Sequence, residues 1–270
     1  MRIYFGETNM KFEIKNLSPF RLLSIYGYEA LGEGHNMYAL TEFDVTDIRQ
    51  RLRSQRKNGQ NISFFSFLLS AIAKTIDENK ELNHIRRGKR IYYFDEVDIN
   101  IPIELELDGI STPQKFVVRD AARKTSTEIT LEIEHAKKNW KETGNVDKDY
   151  KWSLYWIKFA SMSPKWLSKF ITNQFAKNPF RVKKGFGTTY VSSVSGFTDF
   201  SGFIIPFFPG QTRPLAFAIG NIVKKPGVVG SEIRIREYLS MTISINHDLV
   251  DGAPAARFVN RLKQRIEGKL

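Results

Sequence analysis

The apolar and polar positions change period several times along the chain, and the last change is the most informative. Met241, Ile243, Ile245 and His247 alternate with Thr242, Ser244 and Asn246, the two-residue period of a strand. After Gly252 the period lengthens. Ala255, Phe258, Val259 and Leu262 recur at helical spacing, and Pro254 suits a first helical turn. The pattern predicts a strand ending near His247, a tight connection through Asp251 and Gly252, and a closing helix. An imidazole at a strand end is anchored by the sheet and can still face a cleft. Its ordinary pKa of about 6.5 lets it take a proton near neutrality.

Upstream, Met37 to Asp44 reads as a strand, followed by a helix to about Arg56 that Thr46 can cap and Asn58-Gly59 stops. Phe65, Leu68, Leu69, Ile72 and Ile76 mark a helix over Phe64 to Asn79, with Ser63 as its cap. Ile91 to Leu107 is β-rich, Asp108-Gly109 is a hairpin turn signal, and Lys115 to Arg119 is a further strand. Thr125 and Glu128 form the capping box of a helix to about Lys138. Tyr150 to Met162 and Pro164 to Ala176 read as two helices, the second ended by Asn178-Pro179. Lys151, Lys158, Lys165 and Lys169 fall near one side of them, while Trp152, Tyr155, Trp156, Phe159, Trp166, Leu167 and Phe170 supply aromatic and aliphatic mass. Three readings of this segment stay open. It is an aromatic insertion packed on the domain with a solvated lysine face, the wall of a pocket, or a basic amphipathic hairpin touching a membrane surface through 150–177. Residues 1–34 offer a short helix around Pro19 to Tyr28.

At 270 residues, with no repeat or linker, the chain is expected to form a single domain over 1–270 with an ample core. There is no cysteine, which excludes disulfides, thiolate metal sites and a cysteine nucleophile. His35, His84 and His135 lie in separate segments without metal-ligand spacing, so no metal is expected. The start lacks the apolar run of a secretory signal, and no stretch of about 20 apolar residues is present to span a bilayer. A cytoplasmic protein is expected. The formal net charge of +12 favours polyanionic partners. Nucleic acid is not expected, because no zinc finger, KH-type loop or RNP motif is present. A small ligand carrying several phosphates suits the same charge.

The motif H-x-x-x-D-G, here His247, Asp251 and Gly252, continues through Ala253, Ala255, Ala256, Arg257, Phe258 and Leu262. It resembles the signature of the dihydrolipoyl acyltransferase and chloramphenicol acetyltransferase superfamily, which includes the catalytic domains of 2-oxoacid dehydrogenase complexes. Phe43-Asp44-Val45-Thr46 resembles the D-V-T that opens the family's first helix, and Glu81-Leu82-Asn83 resembles its E-L-N. Val117-Val118-Arg119-Asp120-Ala121 with Lys124-Thr125 resembles its V-V-R-D-A…K-S segment, and Pro214 to Gly220 its A-I-L-A-I-G strand. Residues 36–138 and 187–267 are covered, and 139–186 stands out as a family-atypical helical insertion. The resemblance implies an α/β (α+β) fold, a chloramphenicol acetyltransferase-like two-layer sandwich in which a mixed sheet is packed by helices.

Gly187 to Gly196, GTTYVSSVSG, resembles the family's G-T-x-x-[IV]-[ST]-x-x-G strand, whose hydroxyl residue steadies the oxyanion. Position by position that residue is Ser192. Ser193 lies on the opposite face, and Ser195 stands where glycine is usual. The resemblance implies an enzyme, a coenzyme A-dependent acyltransferase acting on a thiol or other nucleophile, with a dihydrolipoyl-type acceptor among the candidates. His247 is its general base, Ser192 its oxyanion donor, and Asp251 a structural residue held by an arginine, for which Arg21 is the candidate. It also implies coenzyme A or acyl-coenzyme A as substrate, no metal, and a homotrimer with the site between subunits. No lipoyl group is expected on this chain, so a lipoyl-bearing protein would act in trans. Two departures qualify the match. Asn246 and Asp248 flank His247 where lipoamide-linked enzymes show D-H-R, and Phe203 to Gly210 replaces an I-N-P-P-Q-like loop. The alternatives are a non-catalytic trimeric scaffold or binding protein that keeps the fold, and an antibiotic O-acetyltransferase.

Overall fold

The computed structural model describes residues 34–107, 110–143, 163–196, 200–206 and 213–270, with a few isolated positions before residue 34. Its spine is a pair of 15-residue strands, β7 (Leu215–Val229) and β8 (Glu232–Asn246), joined antiparallel. Alternation decides their faces. Leu239, Met241, Ile243 and Ile245 of β8 and Leu215, Phe217 and Ile219 of β7 are all at most 2% exposed and belong to one core. Around the spine lie β1 (Asn36–Asp44), β4 (Ile99–Leu107), β5 (Ile110–Val118) and β6 (Thr189–Ser193). The strand order is β1-β8-β7-β6-β4-β5, and among the described residues only the β6–β7 and β4–β6 pairs are parallel. This is the mixed sheet that the family resemblance implies.

Three helices cover the core face. These are α2 (Phe64–Asp77), α3 (Ser126–Thr143) and α6 (Gly252–Ile266), with α2 packed against both others. Their buried side chains, among them Leu68, Ile72, Ile76, Ile129, Phe258 and Leu262, join the same cluster as the strands. Ser63 caps α2 as expected, its Oγ accepting from the Ser66 N–H at 2.9 Å. The Thr125–Glu128 box also forms, with the Thr125 N–H donating to Glu128 at 2.7 Å and the Glu128 N–H to Thr125 Oγ1 at 3.2 Å. Helix α3 then runs five residues further than expected.

Other signals act differently from what the sequence suggests. Thr46 is the first residue of α1 (Thr46–Lys57), not its cap; Asp44 accepts both the Thr46 N–H and its hydroxyl, at 3.1 and 2.7 Å. Asp44 also takes the Arg236 Nε at 2.7 Å. Burial works against its charge, but these bonds hold its carboxyl below the ordinary range. Asn178-Pro179 ends α4 (Lys165–Ala176) and at once starts α5 (Pro179–Phe186), because Asn178 Oδ1 accepts from the Phe180 and Arg181 N–H groups. A small hairpin pairs β2 (His84–Arg87) with β3 (Arg90–Tyr93); β3 falls at the start of the β-rich stretch expected from Ile91, β2 is additional, and Gly88 at φ 56 marks the turn between them. Arg21, Leu22, Ile25, Tyr26 and Glu29 are helical; the rest of the short helix expected near 19–28, the 108–109 turn and the helix expected over 150–162 lie outside the described residues.

Phe217 and Phe258, both 0% exposed, join sheet to closing helix with ring centroids 6.2 Å apart. Phe258→Ala should lower unfolding free energy by about 3–5 kcal/mol in denaturant titration, the range for a buried aromatic truncation. A loss under about 1 kcal/mol would mean that α6 is not seated on β7.

Candidate active site

Strand β8 stops at Asn246 for local reasons. Asn246 is 1% exposed, and its N–H donates to the Pro214 carbonyl at 2.9 Å. Its own carbonyl accepts from Leu249 and Val250, and its side-chain oxygen from the Asp248 N–H at 3.0 Å. The chain therefore turns over 247–250 before α6 starts. Next to it, the His247 N–H donates to the His35 carbonyl at 2.7 Å, just before β1. His247 is exposed, and its ring has no hydrogen-bond partner among the described residues.

Asp248 ties this turn to two other elements. His35 Nδ1 donates to its carboxylate at 2.8 Å, and Arg86 of β2 approaches to 3.9 Å. The hydrogen bond from His35, outweighing a small effect of burial, and the charge of Arg86 hold the Asp248 carboxyl below its ordinary range. The acidic residue that breaks the D-H-R pattern is thus an internal tether beside the histidine. Asp251 occupies the N-cap position of α6, where a negative charge suits the helix dipole, but its side chain makes no cap hydrogen bond. It forms no ion pair with Arg21 among the described residues.

Ser192 lies elsewhere. It pairs in register with Ala218 of β7, which pairs with Thr242 of β8, and His247 is five residues beyond Thr242. A rise of about 3.3 Å per residue and a spacing of about 4.8 Å between strands put the two backbones roughly 19 Å apart. The two residues do not meet within one copy of the chain. Ser192 is half-buried on the sheet face opposite the core, together with Thr242, Ser244 and Asn246. Thr242 Oγ1, Ser244 Oγ and Asn246 Nδ2 are buried there without a hydrogen-bond partner among the described residues. Each such group costs about 1–3 kcal/mol, and clusters of them call for a functional account.

A groove of about 440 Å³ lies between Met37, Tyr38 and Ala39 of edge strand β1 and Gly252, Ala255, Ala256 and Val259 of α6; His247, Asp251 and Ser192 are not among its lining residues. Its size falls within the range of small-molecule sites. The other matched motifs are structural. Arg119 pairs with buried Asp98 at 2.9 Å and donates to the Lys183 carbonyl at 3.0 Å and to that of Lys184, at the end of α5. Asn83 Nδ2 holds the carbonyls of Phe94 and Glu96. His84 is 1% exposed, its Nδ1 donating to the Glu81 carbonyl; burial pushes its pKa down, so it is a neutral packing residue. No group of three metal-ligating side chains occurs among the described residues, and no described helix is long and apolar enough to cross a membrane. Arg86 and the His35–Asp248 contact were missed by sequence reasoning, because their partners are far apart in the chain.

The fold and the histidine turn define a class before any relative is considered: a two-layer mixed α/β domain with an exposed imidazole at a strand end. The family model for the 2-oxoacid dehydrogenases acyltransferase (catalytic domain) matches residues 33–151 and 195–269, and the chain belongs to that family. The match passes over 152–194, which includes Ser192. The lipoamide acyltransferase component of the branched-chain alpha-keto acid dehydrogenase complex of Bacillus subtilis is 23% identical over 236 residues, 85% of this chain and 46% of the relative. The chain spans less than half the length of such curated relatives. Among solved structures, the dihydrolipoamide acetyltransferase of Azotobacter vinelandii is similar with a TM-score of 0.67 at 17% identity, covering 94% of this chain and 92% of that one. That structure bears on the role of a serine, a histidine and an asparagine four positions after it in the catalytic mechanism. A chloramphenicol acetyltransferase is similar at a TM-score of 0.50 and 14% identity, covering 94% and 98%. These likenesses establish the fold.

The Asp248 tether predicts local behaviour. Asp248→Ala should speed amide exchange at His247 about tenfold while leaving the melting temperature nearly unchanged, since the tether is partly exposed. A depressed folded-state pKa means that the tether's contribution is present above the ordinary carboxylate pKa of about 3.9 and fades as pH falls through the lower folded value. Protection of the His247 amide in the wild type should therefore persist at about pH 5. Equal exchange in wild type and variant would refute the tether.

Proposed function

We propose that this chain is an acyltransferase catalytic domain that moves an acyl group between coenzyme A and a thiol, a dihydrolipoyl-type thiol being the leading acceptor. The observation that carries this reading is the exposed ring of His247, unpartnered among the described residues, on a backbone fixed by the turn at the end of β8. A free thiol has a pKa near 8.5, so at pH 7 a nearby neutral imidazole must take its proton as sulfur attacks the acyl carbon. Collapse of the tetrahedral oxyanion then breaks the other C–S bond and expels that sulfur as a thiolate, to which the His247 imidazolium returns the proton. Ser192 is proposed as the hydroxyl donor to that oxyanion. Asp251, four residues after His247, stands at the spacing of the asparagine studied in the Azotobacter protein, and it is assigned here to holding the loop at the start of α6.

Because Ser192 and His247 lie on distant parts of one copy, the reading requires them to come from different copies. A homotrimer with its sites between subunits is the proposed assembly. The groove between β1 and α6 lies on the outer edge of the sheet, where a second copy can close it over a pantetheine arm. The lipoyl group is proposed to arrive on another protein. The non-catalytic scaffold is the reading to exclude.

Thiol release from acetyl-coenzyme A in the presence of dihydrolipoamide separates the two. His247→Ala should lower kcat by about 10²–10⁴-fold, the usual share of a general base. Ser192→Ala should lower it by about 10²–10³-fold, as loss of an oxyanion donor does. Turnover that is unaltered in His247→Ala contradicts the assignment, and no turnover in the wild type with thiol or alcohol acceptors favours the scaffold.

A further inference from the structure

Helix α4 is packed inside out. Helical spacing sets Ser168, Thr172 and Ala176 on one side, and Ser168 and Ala176 are 0% and 5% exposed. Trp166, Phe170 and Lys177 fall on the opposite side, where Trp166 is 70% and Phe170 55% exposed. A helix arranged only for packing on its own domain would turn its aromatic rings inward. The reading of these two side chains as aromatic mass packed on the domain is therefore corrected. Phe180, at the start of α5, is 63% exposed although its ring edges meet Tyr92 and Phe94.

The charge around these rings is one-sided. Residues 163–193 contain no Asp or Glu and six cations: Lys165, Lys169, Lys177, Arg181, Lys183 and Lys184. Lys183 is committed to Glu96 and Asp98. Lys165 and Lys169 share one carboxylate, Glu29, at 2.8 and 2.7 Å, so one positive charge is left over. Lys177 and Arg181 have no acidic partner among the described residues. The family model passes over this segment, while the similar solved structures cover 94–96% of the chain.

We propose that α4 and the start of α5 dock the protein on an anionic membrane surface, with Trp166 and Phe170 in the headgroup layer and Lys177 and Arg181 against lipid phosphates. Aromatic rings prefer that depth, and lysine and arginine stems reach out of it toward the phosphates. Anionic lipid supplies the negative charge that the segment lacks. A second copy in the proposed homotrimer would meet this face with a different surface, so it is the competing occupant that the test below separates.

Co-sedimentation of the full chain with vesicles tests this, using phosphatidylcholine alone or with roughly 30% phosphatidylglycerol. The expected result is association with the anionic vesicles only, lost as salt rises from about 50 to about 500 mM. The Trp166→Ser/Phe170→Ser double variant should bind at least about tenfold more weakly with an unaltered melting curve, both side chains being exposed. Should that variant unfold, Lys177→Glu/Arg181→Glu carries the same expectation through charge. No association with anionic vesicles at low salt overturns the proposal, as does full binding by a folded variant. Shielding of Trp166 from iodide without lipid, together with a smaller particle mass in the double variant, would instead make this face a contact between copies and equally overturn it. None of these readouts depends on acyl transfer.

Discussion

Everything at the candidate site follows from where β8 is made to stop. Asn246 spends its N–H on Pro214, its carbonyl on Leu249 and Val250, and its side-chain oxygen on Asp248, so the strand cannot continue. The ladder to β1 ends at the Asn36–Asn246 pair, and the next N–H, that of His247, is taken by the His35 carbonyl. Helix α6 fixes the far side of the turn by burying Phe258, Leu262 and Ile266 in the core. The histidine is thus held through backbone on both sides while its ring stays open to solvent. Such a placement is what a general base requires: a rigid origin and an accessible tip.

The same register that holds His247 keeps Ser192 away from it. Two strand spacings and five residues separate them, and no side-chain rotation spans that distance. Placing both in one site therefore needs a second copy. The sheet face bearing Ser192 carries buried hydroxyl and amide groups with no partner among the described residues, a costly arrangement in a face meant only for packing. Asp248, which reverses the sign of the family pattern, accepts a hydrogen bond from His35 and lies 3.9 Å from Arg86 within the chain.

Local signals in the sequence were the legible ones. The change of period at Gly252, the Ser63 cap and the Thr125–Glu128 box each act within a few residues, and each appears in place. What required the fold were contacts between distant segments. Asp248 and its partner His35 are 213 positions apart, and neither carries a mark of the other. Spacing in α4 divides its residues between two faces, but which face turns inward depends on what it packs against. The distance between Ser192 and His247 likewise depends on strand order, which two motifs read separately do not contain.

The claim on which the account rests is that an active site needs two copies of the chain. Hybrid assembly measures it directly. His247→Ala and Ser192→Ala proteins, each inactive alone, are dissociated, mixed in equal amounts and allowed to reassemble. If the two residues meet across subunits, random mixing should restore about a quarter of wild-type activity, because that share of interfaces regains an intact pair. Activity no higher than that of either parent, in assemblies shown to be mixed, would contradict it.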